Sequence, residues 1–431
     1  MRILRFIFLL GLLPLVPVAL QAQPNDSLNL TLELFQRTRA EVHGGYHELR
    51  SDYPAAFFLN QRVDLGLDIR YSVFETHVTI QDGRIWGANA GTTHTQLLEG
   101  WLQISNPNPD NFFRYVRFGR QTIQLDDAWL FMARRYGRLG LAHDALHTFW
   151  QHNHFTMRLY AMANALNEKN SRLEYYDPHY YKYMLIAHGL YTLAPQNTIG
   201  GIVVGDWNQD KAHPRRPFGR FTGGILINFR PTNSVQFKAE VYYQGGNTYS
   251  LKHDTAMSVN AFSMHSRLFI HGVVKGAFGL DWISGGTDSD LKAGRLRQFD
   301  RLSGTSHSFF GYMDYFTLAL PTLHGHGLRD YNAWLYAPKL NNVEMEVSLH
   351  AFQMDKQFKE LNTFLGLEFD LKGKVDFYRD MRLEFVYGYF YGTKTLVTLQ
   401  GGQVTHHGHF ATLSFQYAPQ IRLKVPTRSQ P

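Results

Sequence analysis

The densest concentration of one chemistry in the sequence is arginine: Arg114, Arg117, Arg120, Arg134, Arg135 and Arg138 fall within one short stretch. A guanidinium is a planar fork of donors that meets carboxylates and phosphates bidentately. Two uses fit such a group. It could form a basic constriction selecting anionic solutes, or it could pair structurally with Asp126, Asp127, Asp144 and other carboxylates. Residue types alone leave both open. A second concentration lies in segment 286–326, with Asp288, Asp290, Asp300, His307, Asp314, His324 and His326. These types can ligate calcium or a transition metal, but no tight spacing unites them, so no metal is expected. His406, His407 and His409 read as residues at the mouth of a strand. Ser263 and His265 share a face if they lie on a strand, yet no GxSxG, HExxH or P-loop pattern accompanies them. Neither catalysis nor a cofactor is expected.

The elements that must position these residues show period-2 alternation. Leu28, Leu30, Leu32 and Leu34 alternate with Asn29, Thr31 and Glu33; Val63, Leu65, Leu67 and Ile69 with Arg62, Asp64, Asp68 and Arg70. The same pattern recurs at Val235–Tyr243, Val343–Leu349, Leu365–Leu371 and Met381–Tyr387. Eighteen strands are expected, at 28–38, 57–69, 73–82, 96–105, 112–123, 141–150, 153–162, 181–191, 198–206, 220–230, 234–245, 257–269, 274–285, 327–337, 342–353, 361–373, 380–391 and 406–418. Many are longer than the roughly 5–6 residues usual in soluble sheets and match the roughly 9–11 residues that cross a bilayer. Aromatic residues gather near strand ends, as at Phe57, Phe58, Trp101, Trp282, Trp334 and Tyr391. Connections after even-numbered strands are short; those after odd-numbered strands, such as 39–56, 124–140, 163–180 and 286–326, are mostly long. That is the pattern of an outer-membrane barrel.

Composition agrees. The chain has 431 residues, no cysteine, and 15% aromatic residues, too much apolar surface for a disordered chain. Mean hydropathy is −0.29, which excludes a bundle of membrane-spanning helices. Residues 1–22 read as a secretory signal, with Arg2 and Arg5 before an apolar run and Ala22 before the cut. Its removal lowers the formal charge of +7 by two. The remaining excess hints at an anionic partner, and nucleic-acid binding has nothing else in its favour. One barrel is expected over 23–418, with 419–431 a solvated periplasmic tail. The fold class is therefore an all-β transmembrane antiparallel barrel of about 18 strands in outer-membrane lipid.

Closure puts Arg62, Asp64, Asp68, Lys238, Glu240, Glu344, Glu346 and Glu368 in the lumen. On the fifth strand Arg117, Gly119 and Gln121 share one face, and Val116, Phe118 and Arg120 the other. A bulge at Gly119 would turn Arg120 inward. Loop 124–140 is expected to fold into the barrel mouth, giving a lumen constriction of Arg62, Arg117, Arg120, Arg134, Arg135 and Arg138.

Several blocks resemble the alginate-export, or alginate porin-like, outer-membrane barrels: Asn60-Gln61-Arg62, Gln81–Gly87, Gly119-Arg120-Gln121, Asp126-Asp127, His143-Asp144-Ala145, Gly304-Thr305-Ser306-His307 and Gly311–Phe316. They span most of 28–418. The resemblance implies an eighteen-stranded porin passing an anionic polysaccharide or similar polar solute through a basic lumen, with periplasmic export partners. The alternative is a structural or surface-binding barrel plugged by its own loops.

Overall fold

The computed structural model describes residues 27–46, 49, 54–88, 94–108, 110–133, 136–164, 181–208, 218–250, 255–304, 307, 309–316, 323–400 and 407–426. The expected signal segment, Arg134 and Arg135 lie outside the described residues.

Eighteen strands form one closed antiparallel sheet. They are β1 (Ser27–Gly44), β2 (Ala56–Tyr71), β3 (Phe74–Ile85), β4 (His94–Ser105), β5 (Phe113–Gln121), β6 (His143–His152), β7 (Phe155–Ala163), β8 (Tyr183–Ala194) and β9 (Asn197–Asn208). They continue with β10 (Phe218–Thr232), β11 (Val235–Ser250), β12 (Thr255–Ile270), β13 (Lys275–Ile283), β14 (Leu328–Tyr336), β15 (Val343–Met354), β16 (Phe364–Tyr378), β17 (Met381–Gly392) and β18 (His407–Tyr417). Each pairs with its chain neighbours, and β18 closes the barrel on β1 from Tyr417 opposite Gln36 to His409 opposite Gly44. The short connections lie at one end, with left-handed φ of 49° at Asn153 and 61° at Asp380, a conformation that Asn and Asp tolerate. The long loops lie at the other.

Side-chain parity follows the alternation. Leu65, Ile80, Ile225, Phe278, Leu349 and Leu367 are exposed on the outer wall, whereas Arg62, Gln81, Glu240, Asp281, His350 and Glu368 are buried on the inner one. An apolar belt outside and polar groups inside is what a bilayer demands of a barrel.

One expectation changes. The register runs unbroken through Gly119 against both β4 and β6, so there is no bulge there. Gly119 instead takes φ +123°, and a Cβ would lie 2.3 Å from the Gly100 carbonyl oxygen. Register shifts occur nearby instead: on β5 itself against β6, between Phe113 and Tyr115, and between β3 and β4, where Thr79 and Ile80 face Glu99 and Leu97 and skip Leu98. Within the expected solvated tail, Gln420–Pro426, exposed over 420–425, forms a further strand paired with Ser27–Glu33 of β1.

Candidate functional site

The barrel interior is crossed by two loops. The first, 122–142 between β5 and β6, is a strut. Near one end, Asp126 is 2.9 Å from His188 of β8, Asp127 accepts Lys238 Nζ at 2.7 Å, and the Asp127 amide donates to Glu240 at 3.1 Å. Near the other, its backbone meets β1, β2 and β3. Arg39 donates to the Tyr136 carbonyl at 3.1 Å, Arg37 and Arg62 donate to the Gly137 carbonyl at 2.9 and 3.5 Å, and the Gly140 amide donates to Gln81 at 2.8 Å. Arg37 and Arg62 are directly opposed across the β1–β2 ladder. Like charges so placed repel; the shared carbonyl between them offsets that. Arg39 and Arg62 also pair with Glu41 and Asp64, each at 2.6 Å.

The second loop, 284–327 between β13 and β14, begins with the short helix α1 (Asp288–Lys292), capped by Thr287. Hydrogen bonds from the Thr287 backbone and hydroxyl hold the Asp290 carboxyl below its ordinary range. Deeper in the loop, Asp300 accepts Arg220 of β10 at 2.6 Å, and Glu368 of β16 accepts the Met313 amide at 2.8 Å. The two loops join each other. The Ser303 amide donates to Leu130 and the Met132 amide to Ser303, at 3.0 and 3.3 Å. A Cβ on Gly304 would lie 2.0 Å from the Trp129 carbonyl oxygen, so only glycine permits this approach. Trp129, Phe131, Phe309, Phe310, Met313 and Phe316 then form one apolar cluster with Phe352, Phe390 and Phe410 of the wall. Trp129 is fully buried, stacks on His265 at 5.1 Å, carries the Arg301 guanidinium at 4.0 Å, and donates to Ser263 at 3.0 Å.

The expected arginines do not form one cluster. Arg62 is on the inner wall beneath the strut. Arg117 also faces inward: it donates to Gln103 at 3.0 and 2.7 Å and lies 3.7 Å from the Trp101 ring centroid. Arg138 sits in the strut, with its backbone against Gly83 of β3. Arg120 is on the outer wall with Phe118, donating to the Leu97 carbonyl at 3.0 Å and pairing with Asp144 at 3.3 Å. It is not a lumen residue. An outward arginine is costly at the bilayer midplane and nearly free near an interface, and Asp144 is the second residue of β6, at the long-loop rim. Inner-wall arginines outside the expected set include Arg37, Arg39, Arg220, Arg267 and Arg158. The last lies on the inner face of β7 over the Phe149 ring, 5.0 Å from its centroid. Strand alternation at Arg37 and Arg39 was the available signal.

Charge is unevenly distributed. Among the described residues no carboxylate lies within 4.0 Å of Arg117 or Arg158, on β5 and β7. Asp281, Asp330, Glu368 and Asp370 are buried on β13, β14 and β16. Ser263 and His265 share the inner face: Ser263 Oγ donates to the Trp282 carbonyl at 2.9 Å and His265 Nδ1 lies 2.5 Å from Asp281. A serine–histidine pair for lipid hydrolysis would have to face the membrane. In the 284–327 loop, Asp288 lies 3.5 Å from His326 and His307 lies 2.9 Å from Asp314. Among the described residues no three such groups converge.

The arrangement of strands has known counterparts. OccAB2 of Acinetobacter baumannii shares it at TM-score 0.60 and 11% identity, covering 91% of this chain and 98% of that one. The outer membrane protein OpdK of Pseudomonas aeruginosa does so at TM-score 0.59 and 8% identity, covering 91% and 99%. The fold is that of an outer-membrane porin. A structure of OpdK with vanillate matches at TM-score 0.60, 7% identity and the same coverages, 91% and 99%. These porin barrels bear Occ and Opd names and do not single out the alginate-export group. No family model and no curated protein matches the chain.

Proposed function

We propose that this chain is an outer-membrane channel for small anionic solutes, acidic saccharides among them, with the long loops outside the cell and both ends of the barrel chain on the periplasmic side. The observation that carries this reading is the pair Arg117 and Arg158. Both guanidinia face the lumen, packed on Trp101 and Phe149 and free of any described carboxylate. A cation presented on an aromatic face keeps donors available to a passing anion. The buried carboxylates are instead taken up by histidine, arginine and loop amides, as at Asp281, Asp330 and Glu368. The alginate-export blocks support an acidic saccharide as solute, and the vanillate bound by OpdK is a small carboxylate on a barrel of the same fold.

Reversal potential across a salt gradient tests the reading. The purified protein in planar bilayers is expected to conduct with anion preference. The double variant Arg117→Ala/Arg158→Ala should move the reversal potential toward cation preference. Arg120→Ala should leave it unchanged, because that guanidinium faces outward. Absence of conductance, or cation preference indifferent to the double variant, would sink the proposal. The joined loops would then be a permanent plug, and the barrel a structural or surface-binding one.

A further inference from the structure

β1 is served by two segments on one side: β18 over Gln36–Gly44, and Gln420–Pro426 over Ser27–Glu33. β17, the other neighbour of β18, begins at Met381 opposite Tyr417, and the Asp380 carbonyl in its turn accepts the Ala418 amide. Beyond that point Gln420–Pro426 has a ladder on its β1 side only, among the described residues. A ribbon of sheet therefore continues past the short-turn end of β17 with one edge open.

The ladder geometry says which groups that edge presents. The Leu34 amide donates to the Pro419 carbonyl at 3.1 Å. Hydrogen-bonded pairs in an antiparallel ladder recur at every second residue, so Ile421, Leu423 and Val425 aim their amides and carbonyls at β1. Gln420, Arg422 and Lys424 aim theirs outward. The side chains alternate in the same step. Ile421, Leu423 and Val425 are 57%, 49% and 44% exposed on the outer face. Arg422 and Lys424 lie on the other, beside a cavity of about 430 Å³ shared with Glu33, Asp68 and Arg70. Unpaired backbone is not tolerated in hydrocarbon, so this ribbon stands outside the membrane core. An exposed edge there is a template for another strand.

Charge selects the occupant. A second copy pairing antiparallel about Leu423 would set Arg422 against Lys424, and pairing about Arg422 would set that residue against itself. Like charges directly opposed are unfavourable. We propose that the open edge of Gln420–Pro426 takes up an extended segment of a periplasmic protein, as an added strand with carboxylates and apolar side chains on alternate residues. The periplasmic source rests on the orientation proposed above; the binding chemistry does not.

The test uses the full chain in detergent micelles, which is independent of orientation and of conduction. A fluorescent hexapeptide of alternating glutamate and valine should raise its anisotropy on binding, and amide exchange at Arg422 and Lys424 should slow. A scrambled peptide of the same composition should bind more weakly. Lys424→Pro removes an edge amide that β1 does not use and should weaken binding about tenfold, the equivalent of about 1.4 kcal/mol. Arg422→Glu keeps the strand and should shift preference toward a lysine–valine peptide. Equal binding of the scrambled or lysine peptides to the native chain, no change of preference in Arg422→Glu, or protection of the edge amides by a dimer of this chain before any peptide is added would overturn the proposal.

Discussion

Replacing Trp129 with alanine is expected to release the two loops from each other and raise single-channel conductance while the barrel stays intact. The indole is fully buried between the strut and the 284–327 loop. It donates to Ser263 at 3.0 Å, supports Arg301 at 4.0 Å and packs edge-on to Phe309 at 4.9 Å. Truncating a buried tryptophan costs about 3–5 kcal/mol. None of that energy belongs to the strand ladder, so it falls on the docking equilibrium of the loops. A change of about 3 kcal/mol moves such an equilibrium by about a hundredfold. Gly304→Ala should act in the same direction by a different cause, since its Cβ would collide with the Trp129 carbonyl. The absence of cysteine allows a direct check. A Ser303→Cys chain should react slowly with a water-soluble maleimide, because the loops are joined at that residue. Adding Trp129→Ala should speed the reaction. Unaltered conductance and labelling would show that the loops are held by their wall contacts alone.

Period-2 alternation, taken with strand length and the alternation of short and long connections, made the barrel legible in the sequence, because a strand with one face in lipid has no freedom to mix its residue types. The count of eighteen, the parity of Arg62, Asp64, Glu240 and Glu368, and the inward turn of Arg117 all followed from it. The place of Gln420–Pro426 was legible in the same way, since Ile421, Leu423 and Val425 alternate with Gln420, Arg422 and Lys424. What could not be read was contact between distant segments. Arg37 and Arg39 meet Gly137 and Tyr136 about a hundred positions away, through carbonyl oxygens that any residue would supply. Density of arginine along the chain was therefore a poor guide to density in space: Arg117 and Arg120 point to opposite sides of one strand. The bulge invoked to reconcile them was unnecessary, because Arg120 stands at the rim, where outward charge is tolerated and Asp144 answers it. Two of the blocks quoted for the family resemblance fall at joints of the inner loops. Asp126 and Asp127 hold one end of the strut, and Gly304 is the point where the loops touch.

Asp281→Ala is expected to destabilise the barrel by about 3–5 kcal/mol, the usual cost of removing one partner of a buried ion pair. The Asp281 carboxylate has no exposed surface. It receives Arg267 bidentately at 2.9 and 2.7 Å, Asn332 at 3.0 Å and His265 at 2.5 Å. Through Asn332 and Asp330 the network reaches His350 on β15, which lies 2.7 Å from Asp330. Four strands, β12 to β15, are thus pinned by one chain of charged hydrogen bonds on the inner wall. Removing Asp281 leaves Arg267 buried against Trp334 without a counter-charge. Most of the loss should come from that stranded cation and not from the pair itself. The double variant Asp281→Leu/Arg267→Met removes both charges and keeps the volume, so it should recover most of the loss. Urea unfolding in micelles, read by the mobility shift of the folded barrel, measures both. If the double variant falls as far as the single one, the attraction between the charges, and not the penalty of an unpaired guanidinium, is what stabilises this wall.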